Sequence, residues 1–161
     1  TGNFEAVKAL FLSEGFGSGY LAMPFVGPDT FDVDCLFTKG KSDVIIPRLR
    51  EYQNPLSPVN EGCVVEDIRD NPIVSYIQRI GEVLSADGVC DFDVARNPDG
   101  EIRLLDASCR LSGSVGASMV AGFPVVDLML ANRFGLKPPE YPIISSARIR
   151  PFSAFFKTQD Y

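Results

Sequence analysis

The chain contains no histidine. That removes Ser–His and Cys–His nucleophile pairs, and most transition-metal sites, from it at once. Acid–base or metal chemistry must therefore fall to carboxylates, lysine, arginine, tyrosine or backbone groups. The four cysteines, Cys35, Cys63, Cys90 and Cys109, stand far apart with no C-x-x-C pair. Such spacing argues against a zinc cage and for reduced thiols in a reducing compartment.

Carboxylates gather in GVCDFDVARNPDGEIRLLDASCRLSGS, Gly88 to Ser114. Strand alternation sets Asp91 and Asp93 on one face of a first strand, and Asp106, Ser108 and Arg110 on one face of a second. A hairpin centred between Asp99 and Gly100 places Asp93 opposite Asp106, Asp91 opposite Ser108, Phe92 opposite Ala107 and Val94 opposite Leu105. A type I turn with a glycine bulge at Pro98-Asp99-Gly100 shifts the pairing by one residue, and a one-residue slip sends every partner to the other face. Sequence leaves both registers open. In the first, like charges face each other across the ladder and call for a cation. Oxygen ligands without imidazole or thiolate suit magnesium or manganese. Magnesium usually takes one or two carboxylates plus phosphate oxygens, so the metal reading implies a nucleotide. Arg110 carries a fork that can meet phosphate or carboxylate at two points. The competing reading is a solvated acidic face on an amphipathic hairpin.

The elements that must position this hairpin follow from pattern. Asn3 can cap a helix with Phe4, Val7, Leu10 and Phe11 on one face, ended by Gly15. Tyr20–Val26 and Thr30–Phe37 read as strands. Lys39-Gly40 is a hairpin signal leading to a strand over Asp43–Arg50, in which Pro47 demands an edge or an end. Tyr52–Glu66 reads as a long loop. Asn71 caps a helix with Pro72 at its first position and a buried stripe of Ile73, Val74, Ile77, Ile80 and Leu84. A Gly/Ser-rich stretch, Ser112–Ser118, opens a helical region, a further helix runs from Val125 to Phe134, and Ile143–Phe152 reads as a last strand. Hairpins mixed with helices give an α+β fold with a largely antiparallel sheet.

Composition narrows the function classes. At 161 residues, 45% hydrophobic and 22% charged, the chain has the makings of one folded core. A formal net charge of -6 disfavours a nucleic-acid partner. No apolar run nears the roughly 20 residues of a membrane span, and no signal-peptide pattern opens the chain. Gly15 to Gly19 is glycine-rich but lacks the Gly-Lys-Ser/Thr of a phosphate loop and reads as a plain loop.

Several runs resemble, in order, the closing part of ATP-grasp ligase domains. Leu104-Leu105-Asp106-Ala107-Ser108-Cys109-Arg110, followed by Ser112-Gly113-Ser114, resembles the strand that typically reads LLEINPR before SGS in that superfamily. Leu21-Ala22-Met23-Pro24-Phe25-Val26-Gly27-Pro28, with Phe31-Asp32-Val33-Asp34, resembles its hinge strand and GPEYSVD stretch. Ile46-Pro47-Arg48-Leu49-Arg50 resembles the next strand with its phosphate-side arginine. The likeness runs over most of Tyr20 to Leu136, and is greatest to the carbamoyl-phosphate-synthase-like branch.

The resemblance implies an ATP-grasp C-terminal subdomain over residues 20–161, with residues 1–19 as a remnant of the preceding subdomain. It implies ATP and Mg2+ (or Mn2+) as cofactors, a small carboxylate activated as an acyl phosphate, and an amine or thiol-type nucleophile. Asp93 and Asp106 would hold metal ions against the ATP phosphates, with Ser108 in the place of the family's asparagine ligand. Arg110 would be the catalytic arginine on the transferred phosphate, and Arg48 a phosphate contact. Met23, Phe25 and Val26 would line the adenine pocket, Thr30 stands where a ribose-binding glutamate is usual, and Ser112, Gly113 and Ser114 would meet substrate. The lysines and phosphate loop of the other subdomain are expected on the same or a separate chain, so that this chain alone is an incomplete ligase. Asp for Glu at 106, Ser for Asn at 108, Cys109 for proline and Thr30 for Glu depart from the pattern. They favour, as the alternative, a degenerate nucleotide- or partner-binding module without catalysis. A cytoplasmic location and no membrane partner go with either reading. A homo-oligomer through Val125, Val126, Leu128 and Met129, which serve equally as core, stays open.

Overall fold

A computed structural model describes residues 4–13, 25–51, 62–141 and 146–150. Six strands form one sheet: β1 (Asp29–Thr38), β2 (Lys41–Arg50), β3 (Cys63–Val65), β4 (Gly88–Arg96), β5 (Ile102–Ser108) and β6 (Ala147–Ile149). Their order is β5-β4-β1-β2-β3-β6 and every neighbouring pair is antiparallel. Four helices accompany them: α1 (Phe4–Ser13), α2 (Pro72–Leu84), α3 (Val115–Val120) and α4 (Val125–Phe134). The fold is α+β, as the element order implies.

The sheet has two unlike faces. Phe31, Val33, Cys35 and Phe37 of β1 share one face with Phe92 and Val94 of β4, and pack on Ile73 and Ile77 of α2. The other face is divided. At its Leu36 end, Leu36, Val44, Ile46 and Val65 pack against Ala121, Phe123, Val125 and Leu128 from the α3–α4 region. Val125 and Leu128 are thus core. Further along β1 the same face carries Asp32 and Asp34, both buried. Apolar burial, at roughly 25 cal/mol per Å2, therefore fixes one face whole and the other by halves.

Local chemistry explains the element ends. Lys39 (φ 49) and Gly40 (φ 82) both lie in the left-handed region, the turn that suits the twist of a two-residue hairpin. The Asn71 Oδ1 accepts from the Ile73 N–H at 2.9 Å, and Pro72 stands at the first helical position. The buried stripe of α2 closes on Gly81, and Leu84 is 62% exposed. Steps of four residues from Ile73 reach Ile77 and Gly81, where the Phe37 ring occupies the room a side chain would take, and Leu84 is the last helical residue, three beyond that contact.

Other expectations need correction. β3 lies inside what reads as a loop: three residues are too few for an alternation signal, and the strand exists because β2 offers it an edge. Pro47 is neither on an edge strand nor at an end, since it pairs with Val33 inside β2. The β3 ladder stops at Val65, beside Arg48, and Glu66 N donates to Pro47 O at 3.0 Å. The Pro47 nitrogen therefore faces β3 and not β1, and its missing N–H takes no bond from the central β1–β2 ladder. On α1 the expected face is solvent-accessible: Val7, Leu10 and Phe11 are 51%, 59% and 43% exposed. Of the expected strand at Tyr20–Val26, residues 20–24 lie outside the described residues, and Phe25 and Val26 belong to no strand. Gly15 and most of the loop at 52–61 are also outside them, as are the ends of the expected last strand.

Gly81→Ala tests the α2–sheet contact. An added Cβ would stand 2.1 Å from Phe37 Cε1, inside a fully buried ring. Urea denaturation should show a loss of about 1–3 kcal/mol, although alanine is the better helix former.

Candidate functional site

The β4–β5 hairpin satisfies both registers, at different ends. At the turn, Gly100 N–H donates to Asn97 O (3.0 Å), Gly100 has φ 84, and Arg96 pairs with Ile102. That is the shifted register of a turn with a glycine bulge. Val94 accordingly pairs with Leu104, not with Leu105. A second bulge then intervenes between Asp93 and Val94, after which Asp93 faces Asp106, Phe92 faces Ala107 and Asp91 faces Ser108. One extra residue on β5 has restored the metal register. The Leu104 N–H at this bulge donates to the Tyr76 hydroxyl at 3.2 Å, so α2 holds the irregularity in place.

Strands β1 and β4 align the acids. Asp32 pairs with Asp93 and Asp34 with Asp91, so two D-x-D runs lie side by side on the polar half-face. Across β2 come the counter-ions. Arg48, 1% exposed, donates its Nε to Asp34 Oδ2 at 3.0 Å, Nη1 to Ser114 Oγ at 2.9 Å and Nη2 to Ser112 Oγ at 3.0 Å. Its Nη1 also stands 3.5 Å from Asp32 Oδ2. Ser118 Oγ donates to Asp34 at 2.5 Å. Burial alone would push the Arg48 guanidinium down, but Asp34 and Asp32 outweigh it and hold the group above its usual value. Arg50 reaches further: its Nε lies 2.8 Å from Asp32 Oδ1 and its Nη2 2.8 Å from Asp93 Oδ2. Arg110, 61% exposed in its side chain, donates to Asp91 Oδ2 at 3.2 Å.

Positive charge falls short here. Among the described residues of this patch, Asp32, Asp34, Asp91, Asp93 and Asp106 meet Arg48, Arg50 and Arg110, leaving two excess negative charges. Asp91 Oδ1 is buried with no hydrogen-bond partner. Burial, then Asp34, Asp93 and Asp32, push the Asp91 carboxyl up to about 6 against the opposing pull of Arg110. Burial also raises Asp93 despite its bond to Arg50.

The structure brings Asp93, Asp106, Ser108 and Arg110 to one patch. Ser108 Oγ donates to Asp106 Oδ2 at 3.3 Å. Thr30 lies on the same face of β1 as Asp32, opposite Ala95. Arg48 sits under the patch, not on it, and Ser112 and Ser114 serve Arg48, with only Gly113 of that trio fully open. Phe25 is 86% exposed and Val26 half-buried, next to Gly27, whose backbone abuts Arg96 O and the Asn97 Cα. Met23 lies outside the described residues. Sequence reasoning about sites missed Asp32, Asp34, Arg50 and Ser118. The signal was present as an R-x-R on the strand after the first D-x-D.

A hard divalent cation fits this donor set. Two carboxylates and a hydroxyl supply only oxygen, the patch lacks two positive charges, and one buried carboxylate oxygen is orphaned. No group of three or more acids or thiols among the described residues is placed to hold a metal alone. Such an arrangement suits an ion that takes one or two carboxylates and completes its shell with phosphate and water.

Comparison with solved structures gives the class of the fold. The chain superimposes with a TM-score of 0.56 on an L-amino acid ligase from Bacillus licheniformis, at 17% identity, covering 84% of this chain and 38% of that one. With N5-carboxyaminoimidazole synthase from Aspergillus clavatus, solved with ADP and 5-aminoimidazole ribonucleotide, the TM-score is 0.51 at 15% identity, covering 71% of this chain and 32% of that one. The likeness is one of fold, and the fold is the ATP-dependent ligase type called ATP-grasp. The chain spans less than two-fifths of the length of either enzyme. Residues 18–154 match the family described as ATP-grasp in the biosynthetic pathway with Ter operon, and the chain belongs to that family. A search of curated proteins finds no match.

Replacing Arg48 by methionine would take the bonded counter-ion from buried Asp34, which would keep the Ser118 hydroxyl, while Asp32 would keep Arg50. Breaking a buried ion network in this way costs about 3–5 kcal/mol. Urea denaturation of Arg48→Met should show a loss of that order, and Arg48→Lys should recover little of it, because lysine cannot reach Asp34 and both serines at once.

Proposed function

We propose that this chain supplies the metal- and phosphate-binding half of the active site of an ATP-dependent ligase. The observation that carries the reading is the pairing of Asp93 with Asp106 on a patch short of two positive charges, within a chain of the ATP-grasp family. Asp93 and Asp106 hold Mg2+ or Mn2+, and Ser108 adds a weaker oxygen. The bound ion supplies neutralisation of the nucleotide phosphates. Arg110, exposed at the rim, meets the transferred phosphate and the acyl phosphate made from the carboxylate substrate. Its bond to Asp91 keeps the fork aimed toward the patch in the meantime.

The remaining residues act by placement. Thr30, Val26 and Phe25 flank the nucleotide on the β1 side. Gly113 leaves backbone accessible to substrate, while Ser112 and Ser114 act through Arg48. Arg48 is buried beneath the patch with a bond from each of its three nitrogens, and it fixes Asp34 and the segment before α3. The partners are ATP, a small carboxylate, an amine- or thiol-type nucleophile, and the subdomain that closes over the nucleotide, on this or another chain. A second reading, a nucleotide-binding module without turnover, is favoured by one feature: the Ser108 hydroxyl is spent on Asp106 rather than presented outward.

Calorimetric titration with ADP, with and without Mg2+, tests the proposal. Wild type should bind ADP more tightly with the metal. Asp93→Asn with Asp106→Asn should lose that dependence and weaken binding by roughly tenfold or more, since even outer partners of metal ligands are worth about 10–100-fold. Metal-dependent binding that survives the double substitution would place the site elsewhere.

A further inference from the structure

The two buried-side arginines of β2 are held very differently, and the difference has a use. Arg48 spends Nε, Nη1 and Nη2 on Asp34, Ser114 and Ser112, and is 1% exposed. Arg50 is the last residue of β2, and its side chain is 19% exposed. It crosses Asp32 to end on Asp93, whose own side chain is 31% exposed. Asp93 is the acid that pairs with Asp106. A guanidinium thus sits on one flank of the carboxylate pair, on an oxygen that a metal ion needs.

We propose that Arg50 is the resident counter-ion of Asp32 and Asp93, competing with a divalent cation for Asp93 and passing its guanidinium to a phosphate when metal and nucleotide arrive together. The inference rests on the metal reading of the Asp93–Asp106 pair. Its physics is that of like charges sharing a ligand. A guanidinium bonded to Asp93 Oδ2 repels a second cation on that carboxylate and must be displaced or turned. Free metal ion offers Arg50 nothing in exchange. A nucleotide phosphate does, because the planar fork accepts phosphate oxygens as readily as carboxylate oxygens. Asp32 Oδ1 accepts from both the Nε and the Nη2 of Arg50, so the guanidinium stays anchored on Asp32 while its bond to Asp93 is exchanged. The outcome is positive coupling: the metal binds tightly only with nucleotide, and by linkage the nucleotide binds tightly only with metal. Arg48 cannot play this part, since it is 1% exposed and bonded to buried Asp34 and Ser112 and to Ser114.

The test separates this proposal from the reading beneath it. Free Mn2+ is followed by its electron paramagnetic resonance signal as the 161-residue chain is titrated, with and without ADP. The proteins are wild type, Arg50→Met, Arg50→Lys and the Asp93→Asn/Asp106→Asn pair. Arg50→Met should bind Mn2+ without ADP about ten- to a hundredfold more tightly than wild type, the worth of one charge-assisted hydrogen bond. In it ADP should strengthen Mn2+ binding far less than in wild type, leaving only what direct ligation of the ion by phosphate oxygens adds. Arg50→Lys, which keeps the charge without the fork, should hold free Mn2+ binding weak yet lose most of the coupling to ADP. Melting followed by circular dichroism checks that each variant is folded, and the lysine variant carries the test if the methionine variant is not. Mn2+ binding in Arg50→Met equal to or weaker than wild type, with binding abolished in the double variant, overturns the competition and leaves the metal site standing. Full ADP coupling in Arg50→Lys overturns the handover to phosphate. No Mn2+ binding by wild type or Arg50→Met, with or without ADP, overturns both the proposal and the metal reading.

Discussion

Side chains alternate along a strand, and on β5 two residues of the same parity must face opposite ways. Ile102 packs against the α2 core, beneath the sheet. Asp106 pairs with Asp93 on the polar face above it. Four residues separate them, so regular alternation would put both on one side. The bulge between these two positions resolves the conflict by spending one residue that takes no place in the count. Tyr76 satisfies the N–H freed at Leu104 and ties the bulge to α2. The same helix packs through Gly81 on Phe37 of β1. The carboxylate register, the hairpin turn and the position of α2 thus depend on one another.

The polar half-face accepts a burial cost that the apolar half does not. Asp32, Asp34 and Arg48 form a buried ionic triad stitched by three serines from the segment around α3. Such networks rarely add net stability, yet their geometry is specific, because each nitrogen of Arg48 is aimed at its own partner. The triad is a floor under the site. On it stand Asp91, Asp93 and Asp106, and the patch as a whole is two positive charges short. Burial is the first cause of the raised Asp91 carboxyl, to which that shortfall of positive charge adds. A compact divalent cation would relieve it better than a further guanidinium, which brings a single charge in a larger volume.

Much of this was legible in the residues, and the illegible part has physical reasons. Helix α2 announced itself through Asn71, Pro72 and a periodic stripe, because caps and amphipathic faces are local features. The Lys39-Gly40 turn was equally local. The metal pairing of Asp93 with Asp106 could be written down as one of two registers. It could not be chosen, because the choice rests on a bulge that no residue type demands. Arg48 resembled a phosphate contact by position in its strand, yet it is buried by Asp34, Ser112 and Ser114, which come from distant parts of the chain. Asp32, Asp34 and Arg50 went unremarked as site residues because each is unexceptional until β1 is seen to lie between β2 and β4. The three-residue β3 and the outward Leu84 likewise answer to neighbours distant in sequence.

The central claim is that the restored register makes Asp93 and Asp106 one metal site. Crystals grown with ADP and Mn2+, examined by anomalous scattering, test it most directly. The account predicts a manganese peak within about 2.0–2.6 Å of a carboxylate oxygen of both residues, with nucleotide phosphate on its open side. ADP and manganese bound elsewhere, with Arg50 still on Asp93 and water alone between Asp93 and Asp106, would contradict it.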